Sequence, residues 1–145
     1  MPALWINGSS PVNKMDMAYS LKELIAALHL EPHPEGGFFR ETYRSKEEIP
    51  GEHLGGHFSG SRNFSTGIYF LLTSDNFSAF HRINQDEIWH MYYGAPVRLH
   101  MISSKGQYSH HLIGADIADG QTPQFVVEGG NWFAAEVEMK DSYAL

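Results

Sequence analysis

FHRINQDEIWHMYYG, residues 80–94, decides how the rest of the chain is read. Phe80–Ile83 and Glu87–Tyr93 have the composition of strands, Asn84-Gln85-Asp86 is a polar turn between them, and Gly94 closes the unit. Side chains alternate across a strand, so Glu87, Trp89 and Met91 share one face while His90 points to the other. A histidine at 81 and a carboxylate at 87 on neighbouring strands form a pair with two readings. One is a core histidine bonded to Glu87. The other is a general base, since imidazole titrates near pH ~6.5 and a carboxylate stabilises its protonated form.

Outward from this unit the chain is a series of short strands. After Arg62, apolar segments at 64–72, 77–83, 87–93, 97–103, 108–113, 123–127 and 132–139 are separated by turn residues, the spacing of an all-β sandwich or barrel. With 38–44 they make about eight strands. Phe64–Leu72 is apolar on both faces, as expected of a strand buried on both sides or covered by a second subunit, and it predicts a homodimer. Upstream, Ser20 and Glu23 have capping-box spacing, and Leu21, Leu24, Ile25 and Leu28 form a helical stripe. One helix is therefore predicted at 20–29. Residues 1–19 read as a flexible arm and 20–145 as one domain.

Bulk composition narrows the function classes. The chain has 145 residues, of which 42% are hydrophobic and 13% aromatic, so a single domain can bury a sizeable core. Its 17 acidic and 10 basic residues leave a net charge of −7 with no basic stripe, which argues against a nucleic-acid partner. Cysteine is absent, so disulfides and thiol catalysis are excluded. The opening residues lack the pattern of a signal peptide, and no run of ~18 apolar residues predicts a membrane span. A soluble, cytoplasmic protein is the expectation.

Two further stretches bear on a site. His33-Pro34-Glu35-Gly36-Gly37 is a turn whose paired glycines let the backbone approach a ligand or a neighbouring strand. It feeds a strand on which Phe38, Arg40, Thr42 and Arg44 share one face, and Arg40 offers a fork for an anionic substrate group. Residues 45–63 are glycine-rich with little periodicity and read as a long surface loop in which His53 and His57 are solvated. Trp89, Trp132 and Phe133 would make an aromatic wall suited to a sugar ring, a base or an apolar ligand, although aromatics in strands are also ordinary packing.

The runs HPEGGFFRETYRS (33–45), STGIYFLL (65–72), FHRINQDEIWHMYYG (80–94) and PQFVVEGGNWFAAEV (123–137) together resemble the cupin superfamily, in particular its uncharacterised branch known as cupin type five. The resemblance covers roughly residues 21–143. It implies a double-stranded β-helix, the jelly-roll barrel, preceded here by one helix, usually dimeric, with a small-molecule pocket in the barrel mouth. Relatives include dTDP-dehydrorhamnose epimerases and metal-dependent dioxygenases. The first cupin signature, H-x-H-x3-E-x6-G, is matched at His81, Glu87 and Gly94, with Ile83 at the second histidine. The resemblance places His81 and Glu87 on adjacent inward-facing strands. The second signature lacks its histidine, since Phe133 stands there and no histidine follows His111.

The sequence therefore predicts no resident cofactor. A divalent metal remains open, and His81, Glu87 and His90 are the ligands it would take. The leading expectation is metal-independent acid–base chemistry on a sugar or nucleotide sugar, in the manner of an epimerase or isomerase. His81 and Glu87 would be catalytic, and His33, Glu35, Arg40, Trp89, Trp132 and Phe133 would bind the substrate. A non-catalytic ligand-binding module is the alternative, with a metal-dependent oxygenase or isomerase behind it.

Overall fold

In the computed structural model, which describes residues 18–56 and 58–145, the N-terminal helix α1 spans Leu21–Leu28. The arm at 1–17 and His57 lie outside the described residues. Ser20 caps α1 through its side chain and Glu23 reaches back to the cap, so the predicted capping box is formed. The helix stops at His29, whose left-handed backbone (φ 52°) turns the chain before Pro32 is reached.

Among the described residues twelve strands follow: β1 Glu31–Pro32, β2 Phe38–Arg44, β3 Glu48–Ile49, β4 Arg62–Asn63, β5 Thr66–Thr73, β6 Phe77–Arg82, β7 Glu87–His90, β8 Val97–Ile102, β9 Tyr108–Ile113, β10 Gln124–Val127, β11 Trp132–Val137 and β12 Tyr143–Ala144. One sheet has the order β1-β2-β5-β12 and another β6-β11-β8-β9, while β7 pairs with β10 and β3 with β4. This is the jelly-roll architecture with one helix. The predicted long loop at 45–63 is corrected in part. Glu48 pairs with Asn63 and Ile49 with Arg62, and a single 3₁₀ turn sits at Gly51–His53. Two-residue strands carry too little periodicity to be read from sequence.

Two apolar clusters share β5. On the inner face Leu72 packs with Val97, Leu99, Ile113, Val127 and Phe133. On the outer face Leu71 joins Leu24 and Leu30, with Tyr69 and Phe38 packed against them. The two-faced apolar pattern of β5 is thus accounted for within one chain, because α1 covers the face that the barrel leaves outside.

The paired glycines at 36 and 37 prove to serve close approach to neighbouring strands. A Cβ on Gly37 (φ +74°) would come within 2.6 Å of the Leu71 carbonyl oxygen, and one on Gly36 (φ +109°) within 2.6 Å of that of Phe77. No side chain fits there, so the 33–37 turn is pressed against β5 and β6. That contact brings Glu35 to the site described next.

Candidate functional site

His81 sits on β6 opposite Phe133 of β11, and the two ring centroids are 4.1 Å apart. Phe133 is fully buried. The His81 Nδ1 lies 2.7 Å from the carbonyl oxygen of Ala79. A carbonyl oxygen can only accept, so Nδ1 carries the proton of the neutral ring and Nε2 is left with a lone pair. The carboxylate within ion-pair reach of the ring is Glu35, with Oε2 at 4.0 Å from Nδ1. The expected direct His81–Glu87 bond is replaced by these two contacts.

Glu35 is itself held from behind. Its backbone N–H donates to Nδ1 of His33 at 3.1 Å, which fixes that ring as the Nε2–H tautomer. His33 stands edge-on to Phe39 (4.8 Å) and Phe70 (5.5 Å). Phe70 meets Trp89 at 6.1 Å, and Trp89 meets Phe133 at 6.5 Å. The contacts therefore run His33, Phe70, Trp89, Phe133, His81, Glu35 and back to His33. This closed ring of mostly aromatic groups holds one base and one carboxylate. Phe39 and Phe70 were not singled out from sequence, although strand alternation with Leu72 would have placed Phe70 inward.

Burial pushes the Glu87 carboxyl above the ordinary carboxylate range, only partly offset by the neighbouring His81 and the Trp89 indole, with Glu35 pushing it further up. The Trp89 Nε1–H is buried and meets no acceptor at hydrogen-bond geometry. A donor of this kind is costly unless something accepts from it. The site thus holds an imidazole whose Nδ1 faces the Ala79 carbonyl and a carboxyl whose pKa is raised by burial.

A stability consequence follows. A carboxyl whose folded pKa is raised binds more protons folded than unfolded, so its contribution to stability falls as pH rises from the unfolded value through the folded one. Glu87→Gln is therefore expected to be more stable than wild type at neutral pH, with an advantage that shrinks as pH is lowered through the carboxylate range. Urea midpoints of both proteins between acid and neutral pH check this, and a pH-independent difference would contradict it.

Three residues expected at the site lie elsewhere. Arg40 pairs with Tyr69 and its guanidinium sits 5.6 Å from that ring's centre, on the sheet face opposite Phe39 and Phe70. Trp132 alternates outward from Phe133 and is covered by Arg82, 5.4 Å from its ring centre. His90 is exposed and stacks on Tyr92. With Ile83 and Phe133 as hydrocarbon where the resemblance implies imidazoles, no three His, Asp or Glu among the described residues converge to hold an ion. The donor set does not fit a divalent metal, which requires about four ligands on one centre.

Beside the ring a cleft of about 940 Å³ opens between β5 and β7, lined by Phe70, Ile83, Glu87, Trp89 and Met91, with Arg44 and Arg62 at its far end. His81 is not in its lining.

Comparison with known proteins agrees with this architecture. The family model described as Cupin superfamily (DUF985) matches residues 22–145. The uncharacterized protein YML079W of Saccharomyces cerevisiae is 36% identical over 117 residues, 77% of this chain and 58% of that protein, so the chain spans less than two thirds of this relative. A hypothetical protein from Leishmania major superposes with a TM-score of 0.77 at 30% identity, covering 87% of this chain and 77% of the other. Protein SO0799 from Shewanella oneidensis does so with a TM-score of 0.75 at 32% identity, covering 87% and 73%.

Proposed function

The chain belongs to the cupin superfamily, in the family DUF985, and from that premise we propose that it binds a small cyclic ligand within the aromatic ring and moves a proton on it without a metal. The observation that carries this reading is His81, whose Nδ1–H is committed to Ala79 and whose Nε2 remains an open base. In this reading Nε2 takes a proton from the ligand. Glu35, 4.0 Å from Nδ1, stabilises the imidazolium that results. Glu87, whose carboxyl pKa is raised by burial, returns a proton, and the Trp89 indole orients that carboxyl. A sugar or nucleotide sugar suits these parts, since its ring stacks on aromatics and its hydroxyls accept. The reaction class is epimerisation or isomerisation.

Sugar phosphates, nucleotide sugars and small acids screened by thermal shift test the binding. A ligand at ~100 times its Kd stabilises a fold by about 2.7 kcal/mol. Incorporation of solvent deuterium into the bound ligand tests the chemistry. Binding without exchange would establish the non-catalytic reading, which one observation favours: the large cleft is lined by Glu87 and Trp89 but not by His81.

Two accompanying expectations are testable directly. Protein prepared without chelator or affinity tag should hold well under one equivalent of Zn, Fe, Mn or Ni, because Ile83 and Phe133 contribute no donor. Elemental analysis giving one equivalent, lost in His81→Ala, would overturn this. The chain should also pair with a second copy, since Phe77, Phe80, Trp132 and Tyr108 are exposed on the sheet that contains β6, β11, β8 and β9. Sedimentation giving only monomer at micromolar concentration would count against pairing.

Among the described residues, no helix is long and apolar enough to cross a membrane.

A further inference from the structure

A carboxylate, an imidazole and a phenol stand in line on the outer face of the sheet β6-β11-β8-β9. On β8 the fully buried Leu99 faces inward, so alternation turns Arg98 and His100 outward. On β11 the buried Phe133 and Ala135 do the same for Glu136, and on β9 Tyr108 is 59% exposed. His100 has Ala134 opposite it on β11 and His110 opposite it on β9. Glu136 and Tyr108, each two positions along, are therefore its diagonal neighbours, within reach of long side chains.

Both reach it. Nε2 of His100 is 3.2 Å from Oε1 of Glu136, and Nδ1 is 2.8 Å from the Tyr108 hydroxyl. A carboxylate oxygen only accepts, so Nε2 carries the ring proton and the Nδ1 lone pair accepts from the Tyr108 O–H. Carboxylate, imidazole and hydroxyl follow one another as in a hydrolase triad, with phenol in place of serine. Stability does not account for the arrangement, because the Glu136 side chain is 54% exposed and contacts so open to water add little to a fold. The site at His81 does not use these groups either, since His81 meets Phe133 on the inner face of β11.

Charge and shape narrow what the phenol could react with. Glu138 engages the Arg98 guanidinium through two nitrogens. Glu136 is then left as negative charge in excess, which disfavours an anionic phosphoryl donor. On the β6 side of the imidazole a hollow of about 230 Å³ is lined by Phe77, Phe80, Ala134 and His100. It is an apolar seat for the body of an uncharged donor.

We propose that Tyr108 is an acyl-accepting nucleophile, with His100 as its general base, Glu136 orienting His100, and an uncharged activated ester with an apolar body as donor. The phenol oxygen attacks the ester carbonyl carbon while its proton passes to Nδ1 of His100. The tetrahedral carbon then expels the alcohol oxygen, which takes that proton from His100, and Tyr108 is left as its O-acyl ester. No atom is oxidised or reduced.

The probe is 4-nitrophenyl acetate, added to the intact chain at a concentration at which it sediments as a monomer, so that pairing does not cover the sheet. Peptide mass spectrometry locates and times the acetylated tyrosines. Tyr43 and Tyr92 are internal controls, being 57% and 62% exposed, and among the described residues neither hydroxyl is bonded to an imidazole. Tyr108 should be acetylated at least about tenfold faster than either, a gain within the range of one positioned base. His100→Gln should remove that advantage and Glu136→Gln should reduce it several-fold, with the rates at Tyr43 and Tyr92 unchanged. Acetylation of Tyr108 no faster than the two controls in wild type would overturn the proposal without recourse to any variant. An unchanged rate at Tyr108 in His100→Gln would do the same. So would acetyl carried by His100 in Tyr108→Phe at the wild-type rate of nitrophenol release, since the imidazole would then be the nucleophile. None of these outcomes touches proton exchange at His81, which is measured separately.

Discussion

His81→Ala is expected to lower solvent-proton exchange into a bound ligand by about 10²–10⁴-fold, the usual contribution of one positioned general base, while ligand-induced stabilisation is largely kept. The separation is expected because the groups that hold the ligand are not His81 itself. In the proposed reading the ligand is held by Phe70 and Trp89, which line the cleft beside the ring. The side chain removed is itself partly exposed, so the fold should survive. His81→Gln is the useful companion, since it keeps a polar group near Ala79 but supplies no base. Equal loss of binding and exchange in both variants would show that His81 holds the ligand and moves no proton. Unchanged exchange in both would place the base elsewhere.

Gly94→Ala should be among the most destabilising single substitutions in the chain, by about 3 kcal/mol, combining the cost of a side chain in left-handed backbone with that of overpacking. Gly94 has φ +100°, and a Cβ there would lie 2.2 Å from the Tyr143 carbonyl oxygen. That oxygen accepts from Ala95 N at 2.9 Å, and relieving the clash pushes β12 off both of its neighbours. Tyr143 and Ala144, both buried, would lose their packing in the two apolar clusters. A fall in Tm of roughly 10 °C is expected for a domain of this size. Gly106→Ala is the control, because Gly106 also has positive φ (+74°) but nothing within 4 Å of an added Cβ. It should cost only the backbone term, about 1 kcal/mol. Similar effects at the two positions would refute the steric argument.

The same contacts explain what could be read from the sequence and what could not. The helix was legible because Ser20 and Glu23 satisfy each other locally, without help from the rest of the fold. Most strands were legible from their alternation and flanking turns. β7 is shorter than the predicted 87–93 because Tyr92 N and Tyr93 N both donate to the Leu145 carbonyl and Gly94 is left-handed where it meets β12, some fifty residues away. Alternation grouped Arg40 with Phe38 but could not say which face of β2 turns inward. Pairing of Phe39 with Phe70 and of Arg40 with Tyr69 decides that, and it sends Arg40 to the outer face. His81 was legible as a candidate base, yet its carboxylate partner was not. Glu35 reaches it only because Gly36 and Gly37 let the 33–37 turn close on β5 and β6, which is a tertiary fact.

The state of the His81 ring tests the central claim most directly. Nitrogen chemical shifts of the imidazole, recorded in the neutral form on protein labelled with ¹⁵N in histidine, distinguish the two tautomers. The Nδ1–H tautomer with an unprotonated Nε2 is the expected result, since Nδ1 donates to the Ala79 carbonyl at 2.7 Å. A ring protonated at Nε2 would mean that the open lone pair does not exist, and the base assigned to His81 would have to be abandoned.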